Sequence, residues 1–258
     1  MLTIALLVIL GAIGTLKIKE YNQQNNATLE SHLMYQTIIP LNRLEHIRSL
    51  FIIQALWFWM GLTYNTTTHV VFITILTYAA AQLEILQIRI RNYVGPEFSE
   101  KSGEEEIQEK IQDLKKLILD HKYIIGYIEH FNSSAKYIIL MEFVLSSLDL
   151  ASASASLIKM NSSEMGWLLL FATLLSLQIF LLGWTCNEIV IQSMAIGSAM
   201  YESKWYLLNK EAKQLSQIVI ARAQKPIRMT IGPFGPMTNE SAVMVIKAAY
   251  SYISLIRR

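Results

Sequence analysis

Apolar residues run through this chain in blocks, and five blocks approach the roughly 20 residues that carry a helix across a bilayer core about 30 Å thick. They are residues 1–16, an uncharged but short run; Ser49 to Leu83, which holds no Lys, Arg, Asp or Glu; about 137–158, interrupted by Glu142 and Asp149; 165–186, the cleanest; and the stretch from about Ser241 to the end. The second block is longer than one straight span needs, so it should tilt or project beyond the membrane. The first 16 residues also have the length of a secretory leader, but they lack a basic start and an Ala-x-Ala cleavage site, so they are read as a span.

Between these blocks the pattern changes to amphipathic. In "SEKSGEEEIQEKIQDLKKLILDHKYIIGYIEHF" the apolar positions Ile107, Ile111, Leu114, Leu117 and Ile118 recur at three and four, with Glu and Lys on the other face. In "SKWYLLNKEAKQLSQIVIARAQKP" the stripe is Leu207, Leu208, Leu215, Ile218 and Val219. Two long amphipathic helices joining spans on one side predict a helical bundle beneath the membrane. The second must end by Pro226, which cannot continue a helical ladder. Gly232, Pro233, Gly235 and Pro236 then read as a turn cluster. "TNES" offers Thr238 or Asn239 as the N-cap of a new helix with Glu240 or Ser241 in its first turn. That last helix, at 1.5 Å per residue, is about 27 Å long and just crosses.

Composition sharpens this picture. Of 258 residues 53% are hydrophobic and 16% charged, against roughly 25% charged in a soluble domain. The net charge of +2 gives no field suited to nucleic acid. One cysteine, Cys186, excludes an intrachain disulfide, and no metal-ligand, nucleotide-binding or nucleophile–base spacing occurs, so no cofactor, metal or enzymatic activity is expected. Lys and Arg number eight in 84–136 and six in 187–240, against four in 17–48 and one in 159–164. Fourteen against five places the long connections in the cytoplasm and the C-terminus outside. The sequons at Asn26 and Asn161 then fall on the outer side as glycosylation candidates, whereas those at Asn132 and Asn239 face the cytoplasm.

Several stretches together resemble the insect odorant receptor family. "RAQKPIRMTIGPFGPMTNESAVMVIKAAYSYISLI" is similar to its C-terminal motif, with Lys225 and Pro226 before a Gly-x-Phe turn and a Lys-Ala-x-Tyr-Ser-Tyr helix. "LQIFLLGWTCNEIVIQSMAIGSAMYESKWYLL" resembles its sixth span running into Tyr201 and Trp205. "HKYIIGYIEHFNSSAKYIILMEFVLSSLDLASASASL" resembles its fifth, and "ILTYAAAQLEILQIRI" the inner end of its fourth. The resemblance implies an all-α polytopic membrane bundle, of which about five of seven spans are present, the N-terminal part being incomplete. It divides the chain into an outer-half ligand-binding region (1–83), cytoplasmic anchor helices (84–136), spans five and six (137–200), a further anchor helix (201–230) and a pore-lining last span (237–258).

By the same resemblance the expected activity is that of a tuning subunit of a ligand-gated, non-selective cation channel. It would assemble as a heterotetramer with the shared co-receptor in the plasma membrane of sensory neuron dendrites and respond to a small volatile odorant or pheromone. The last helix would line the pore with a stripe of Ala248, Ser251, Tyr252 and Leu255, the leucine forming a dewetting ring and Lys247 tuning cation passage. Aromatic walls suit apolar volatiles, so Trp57 and Phe58 on the fourth span, Trp167 and Phe171 on the sixth, and Gln54 as a hydrogen-bonding group are the ligand candidates. Aromatic residues near a membrane boundary also serve as interface anchors. Glu142 and Asp149, seven apart, share one face of the fifth span, as functional carboxylates or as part of a small-residue packing face. A gustatory-type channel would carry a Thr-Tyr and Gln-Phe pattern where "AYSYISLI" stands, and a non-functional truncated receptor is the other alternative. A G-protein-coupled receptor is excluded by the inverted topology and a transporter by the lack of an internal repeat.

Overall fold

A computed structural model describes residues 47–99, 103–157 and 162–256, together with Glu20 and Gln23. The predicted span 1–16 and the sequons at Asn26 and Asn161 lie outside the described residues. Five α-helices make up the described chain: α1 (Ile47–Asn92), α2 (Glu104–Leu157), α3 (Ser162–Glu202), α4 (Lys210–Ala223) and α5 (Asn239–Ile256), with a 3-10 turn at Trp205–Leu207 before α4. The chain divides into two compact units, Met1–Thr68 and His69–Arg258, and the packing that follows is that of the second.

Length is the first structural consequence of the pattern. The 54 residues of α2 extend about 80 Å, more than twice a bilayer core. Neither proline nor a cap interrupts it, so the charged half and the apolar half form one rod. Its start carries Glu104, Glu105 and Glu106, whose charges favour a helix N-terminus. Arg89 and Arg91 occupy the last turn of α1, where the dipole favours cations, and a turn with Gly95 at φ 64° follows before Pro96. The stretches Ile52–Asn92 and Leu169–Glu202 are long and apolar enough to cross a membrane.

The main core is built from helical stripes. Ile111, Leu114 and Leu117 of α2 are buried as their spacing predicts, and Leu83, Leu86 and Ile90 of α1, Ile189 and Ile196 of α3 and Ala212 and Val219 of α4 join them in one cluster. The stripe read on the second amphipathic segment needs one correction. Leu208 and Val219 are buried, but Ile218 is 64% exposed. Within α4 the buried positions are Ala212, Ser216, Val219 and Ala223, at spacings of four, three and four, and Ile218 stands about 100° round the helix from Val219, off that stripe. Asn209 accepts a hydrogen bond from the Ala212 N–H at 3.0 Å, a side-chain N-cap. Around the rim lie ion pairs such as Arg91–Glu202 (2.6 Å) and Lys115–Glu211 (2.8 Å). With both partners about half exposed, each contributes at most about 1 kcal/mol, so the apolar seam holds the bundle.

Beyond α4 the predicted turn cluster forms a tight hairpin docked on α2 and α3. Ile231 N–H donates to Gly235 O (2.8 Å) and Met237 N–H to Met229 O (2.8 Å). The hairpin is tied down by Ile227 N–H to Ser193 Oγ (3.1 Å), Thr230 N–H to Asn132 Oδ1 (2.9 Å) and Gly232 N–H to Lys136 O (3.0 Å). The Asn132 side chain is therefore structural, whatever its sequon suggests. Gly232 has φ 51°, and a Cβ there would lie 2.8 Å from Leu140 Cδ2. Gly232→Ala should thus cost about 2 kcal/mol from the left-handed backbone and the crowding of Leu140. The same exchange at exposed, mid-helical Gly126, where a Cβ meets nothing within 4 Å, should stabilise by about 0.5 to 1 kcal/mol. Thermal midpoints of the detergent-purified chain check both signs.

Candidate functional site

The last helix is defined by its cap. Thr238 N–H donates to Ser241 Oγ (2.8 Å) while Ser241 N–H reaches back to Thr238 Oγ1 (3.4 Å), a reciprocal capping arrangement that selects Thr238 over Asn239 as N-cap. From there α5 runs 18 residues. It is seated on α2 and α3. Ala242 is fully buried and Val245 nearly so, in a cluster with Leu150 of α2 and Ile179 of α3 flanked by Phe143 and Ala172. The seat is close because residue 183 is glycine: a Cβ there would lie 3.0 Å from Thr238 O and 3.1 Å from Ala242 Cβ. Small residues at such crossings let helix backbones approach.

The opposite face of α5 is open. Glu240, Met244, Lys247 and Ser251 are exposed and recur at four, three and four. Two of the predicted pore positions, Lys247 and Ser251, lie on this stripe. Ala248, Tyr252 and Leu255 lie within the helix, and their side chains fall outside the described ones. Beside the seat is a cleft of about 670 Å³ walled by Phe143, Ser147, Phe234, Met244 and Val245.

The ligand candidates divide between the two units. On α1, Leu50, Gln54 and Phe58 follow at spacings of four; Leu50 and Gln54 are buried and Phe58 is half-buried, whereas Trp57 is 72% exposed. On α3, Phe171 is 40% exposed, and Trp167, one turn earlier, has its side chain outside the described ones. Phe171 does not line the cleft beside α5. Of the family-motif residues, Trp205 packs against the core cluster from the 3-10 turn, Tyr201 is exposed, and Lys225 N–H donates to Arg222 O (3.1 Å) just before Pro226.

A polar cluster was only half visible in the sequence. Glu142 Oε1 lies 2.7 Å from His69 Nε2, with Gln178 Nε2 at 3.3 Å and Ser146 Oγ at 3.4 Å; Gln178 also lies against His69 Nε2. Asp149, expected on the same face, is exposed. His69 and Gln178 went unremarked, although His69 is the one ionisable side chain besides tyrosine between Ser49 and Leu83, a signal that spacing alone could have raised.

The comparisons with known proteins agree with this architecture. Residues 2–250 match the family model described as 7tm Odorant receptor. Odorant receptor 10 of Aedes albopictus is 32% identical over 190 residues, which cover 72% of this chain and 49% of that protein. Odorant receptor Or2 of Anopheles gambiae is 29% identical over 149 residues, 57% and 39% of the two chains. The chain thus spans about half the length or less of these curated relatives. Among solved structures, the insect olfactory receptor OR5 from Machilis hrabei superposes with a TM-score of 0.73 at 17% identity, covering 99% of this chain and 64% of that one. The same receptor in complex with eugenol gives 0.71. With a family model spanning nearly the whole chain and an olfactory-receptor fold of membrane-spanning helices, this chain belongs to the insect odorant receptor family.

Proposed function

We propose that the chain is a subunit of an odorant-gated, non-selective cation channel that works as a heteromer with the odorant receptor co-receptor in the dendritic membrane of olfactory neurons. The observation that carries this reading is α5: a capped helix, about 27 Å long, seated by Ala242 and Val245 and open along Met244, Lys247 and Ser251. Like stripes from several subunits meeting on one axis enclose a water-accessible path. Leu255, four residues past Ser251, supplies an apolar ring near the outer end, where dewetting closes a pore without a charged plug. The stretches 84–136 and 201–230 act as the cytoplasmic anchor, and the C-terminus emerges outside.

A small volatile binds in the outer half, with Gln54, Trp57, Phe58, Trp167 and Phe171 contributing to its walls. Eugenol, the ligand in the complex of the Machilis receptor, is a suitable first probe. The test is expression of the receptor with the co-receptor and recording of odorant-evoked cation current across a panel of volatiles. Leu255→Ala is expected to raise the current in the absence of odorant several-fold, because a smaller ring dewets less readily. An unchanged leak removes Leu255 from the gate, and silence to every volatile removes the channel reading.

A further inference from the structure

Three helices meet at the polar cluster inside otherwise apolar surroundings. His69 of α1 is buried, and its Nδ1 has no partner among the described residues, so the ring is held through Nε2: it donates to Glu142 of α2, whose carboxylate also accepts an N–H from Gln178 of α3, seated beside the ring. No competing charge is close in sequence. Apart from His69, α1 has no Lys, Arg, Asp, Glu or His from Ser49 to Leu83, α3 has none from Gly166 to Asn187, and the apolar half of α2 adds only Asp149, which is exposed.

The neighbours of these two partners give the cluster its meaning. Phe143 follows Glu142 and Ile179 follows Gln178, and both belong to the cluster that seats Ala242 and Val245 of the last helix. Adjacent residues on a helix point about 100° apart. Each of α2 and α3 therefore meets His69 with one side chain and α5 with the next. The geometry points to a transmission clamp: His69, through Glu142 and Gln178, ties α1, the helix that carries Gln54 and Phe58, to the two helices on which the pore helix rests.

A movement of α1 on ligand binding is then passed to α5 through α2 and α3 rather than being absorbed in loose apolar sliding. Lipid-like side chains in contact shift past one another at little cost, whereas parting a buried imidazole from a carboxylate takes from each a short hydrogen bond. The three clamp residues are positioning residues. This inference rests on the channel reading above.

The test is a double-mutant cycle in the receptor expressed with the co-receptor, at matched surface amounts. It compares His69→Phe, Glu142→Met, the two combined, and His69→Gln with Glu142→Gln, a pair of amides that can bond each other again. Two quantities are read: odorant-evoked current, and odorant binding by quenching of tryptophan fluorescence. His69→Phe is expected to lower the current at saturating odorant about fivefold while odorant binding weakens by about twofold at most. Glu142→Met on top of it adds nothing further, and the amide pair recovers most of the response.

Additive losses, an unaltered His69→Phe response, or binding that falls in parallel with current would overturn the clamp. A wild-type receptor that binds but passes no current sinks the channel reading instead. In that event the cluster is judged by thermal midpoints of the purified protein, where additive losses on melting again rule out a coupled unit.

Discussion

Gly183→Leu is expected to abolish odorant-evoked current and to lower the thermal midpoint of the purified chain, the largest effect of any single exchange considered. The contact it invades is already closed, with Thr238 O and Ala242 Cβ within 3.0 and 3.1 Å of where a Cβ would stand. One neighbour is backbone and the other a methyl on a fully buried residue, so neither can rotate away. Four added carbons cannot be housed without lifting the start of α5 from α3, which costs about 3 kcal/mol in a packed interior. The damage also reaches the reciprocal cap, because Thr238 is both the crowded residue and the N-cap partner of Ser241. Gly183→Ala asks its neighbours to give by only a few tenths of an ångström and should retain most of the current. Normal gating in Gly183→Leu would show that the placement of α5 does not depend on this seat.

The second large effect is acid sensitivity of the core around His121. His121 of α2 is 6% exposed, and burial, reinforced by the nearby Arg222 guanidinium, pushes its pKa down to about 4. Its ordinary value is 6.5. Between those values the unfolded chain binds the proton that the folded chain refuses. Stability is therefore fully present above pH 6.5 and falls as pH drops from there towards 4. The loss is about 2 kcal/mol at pH 5 and about 3 kcal/mol once both forms are protonated. His121→Leu removes this titration and keeps the site apolar, so its melting curves should be flatter between pH 7 and 5 than those of the wild type. Parallel curves for the two proteins would show that His121 takes up its proton in place.

Much of the helical skeleton was legible, for a reason particular to helices. The burial of Ile111, Leu114 and Leu117 follows from a period of 3.6 that every turn repeats, and the end of α4 before Pro226 follows from a missing N–H. The N-cap of α5 was narrowed to Thr238 or Asn239 because both are good caps in isolation. The choice fell to Thr238 once Ser241 took the third position and bonded back. Ile218 was misplaced because it adjoins Val219 at the edge of the stripe, where spacing does not say which of two neighbouring apolar residues faces the core. The site was less legible still: Gln54 and Phe58 share a stripe on α1 while Trp57, their neighbour in sequence, stands off it.

What the amino-acid order determined alone was the class of the chain and its elements: apolar runs too long for a soluble core, amphipathic rods between them, and a proline, two glycines and a threonine that stop one helix and start the next. These depend on interactions within a few residues, which sequence spacing expresses directly. What only the tertiary structure decided was the partnership of distant residues: His69 with Glu142 and Gln178, Asn132 with Thr230, Gly183 with Ala242. Their separations along the chain carry no repeat. A buried polar group needs some partner to offset its loss of water, but which one it finds is settled by how long helices cross.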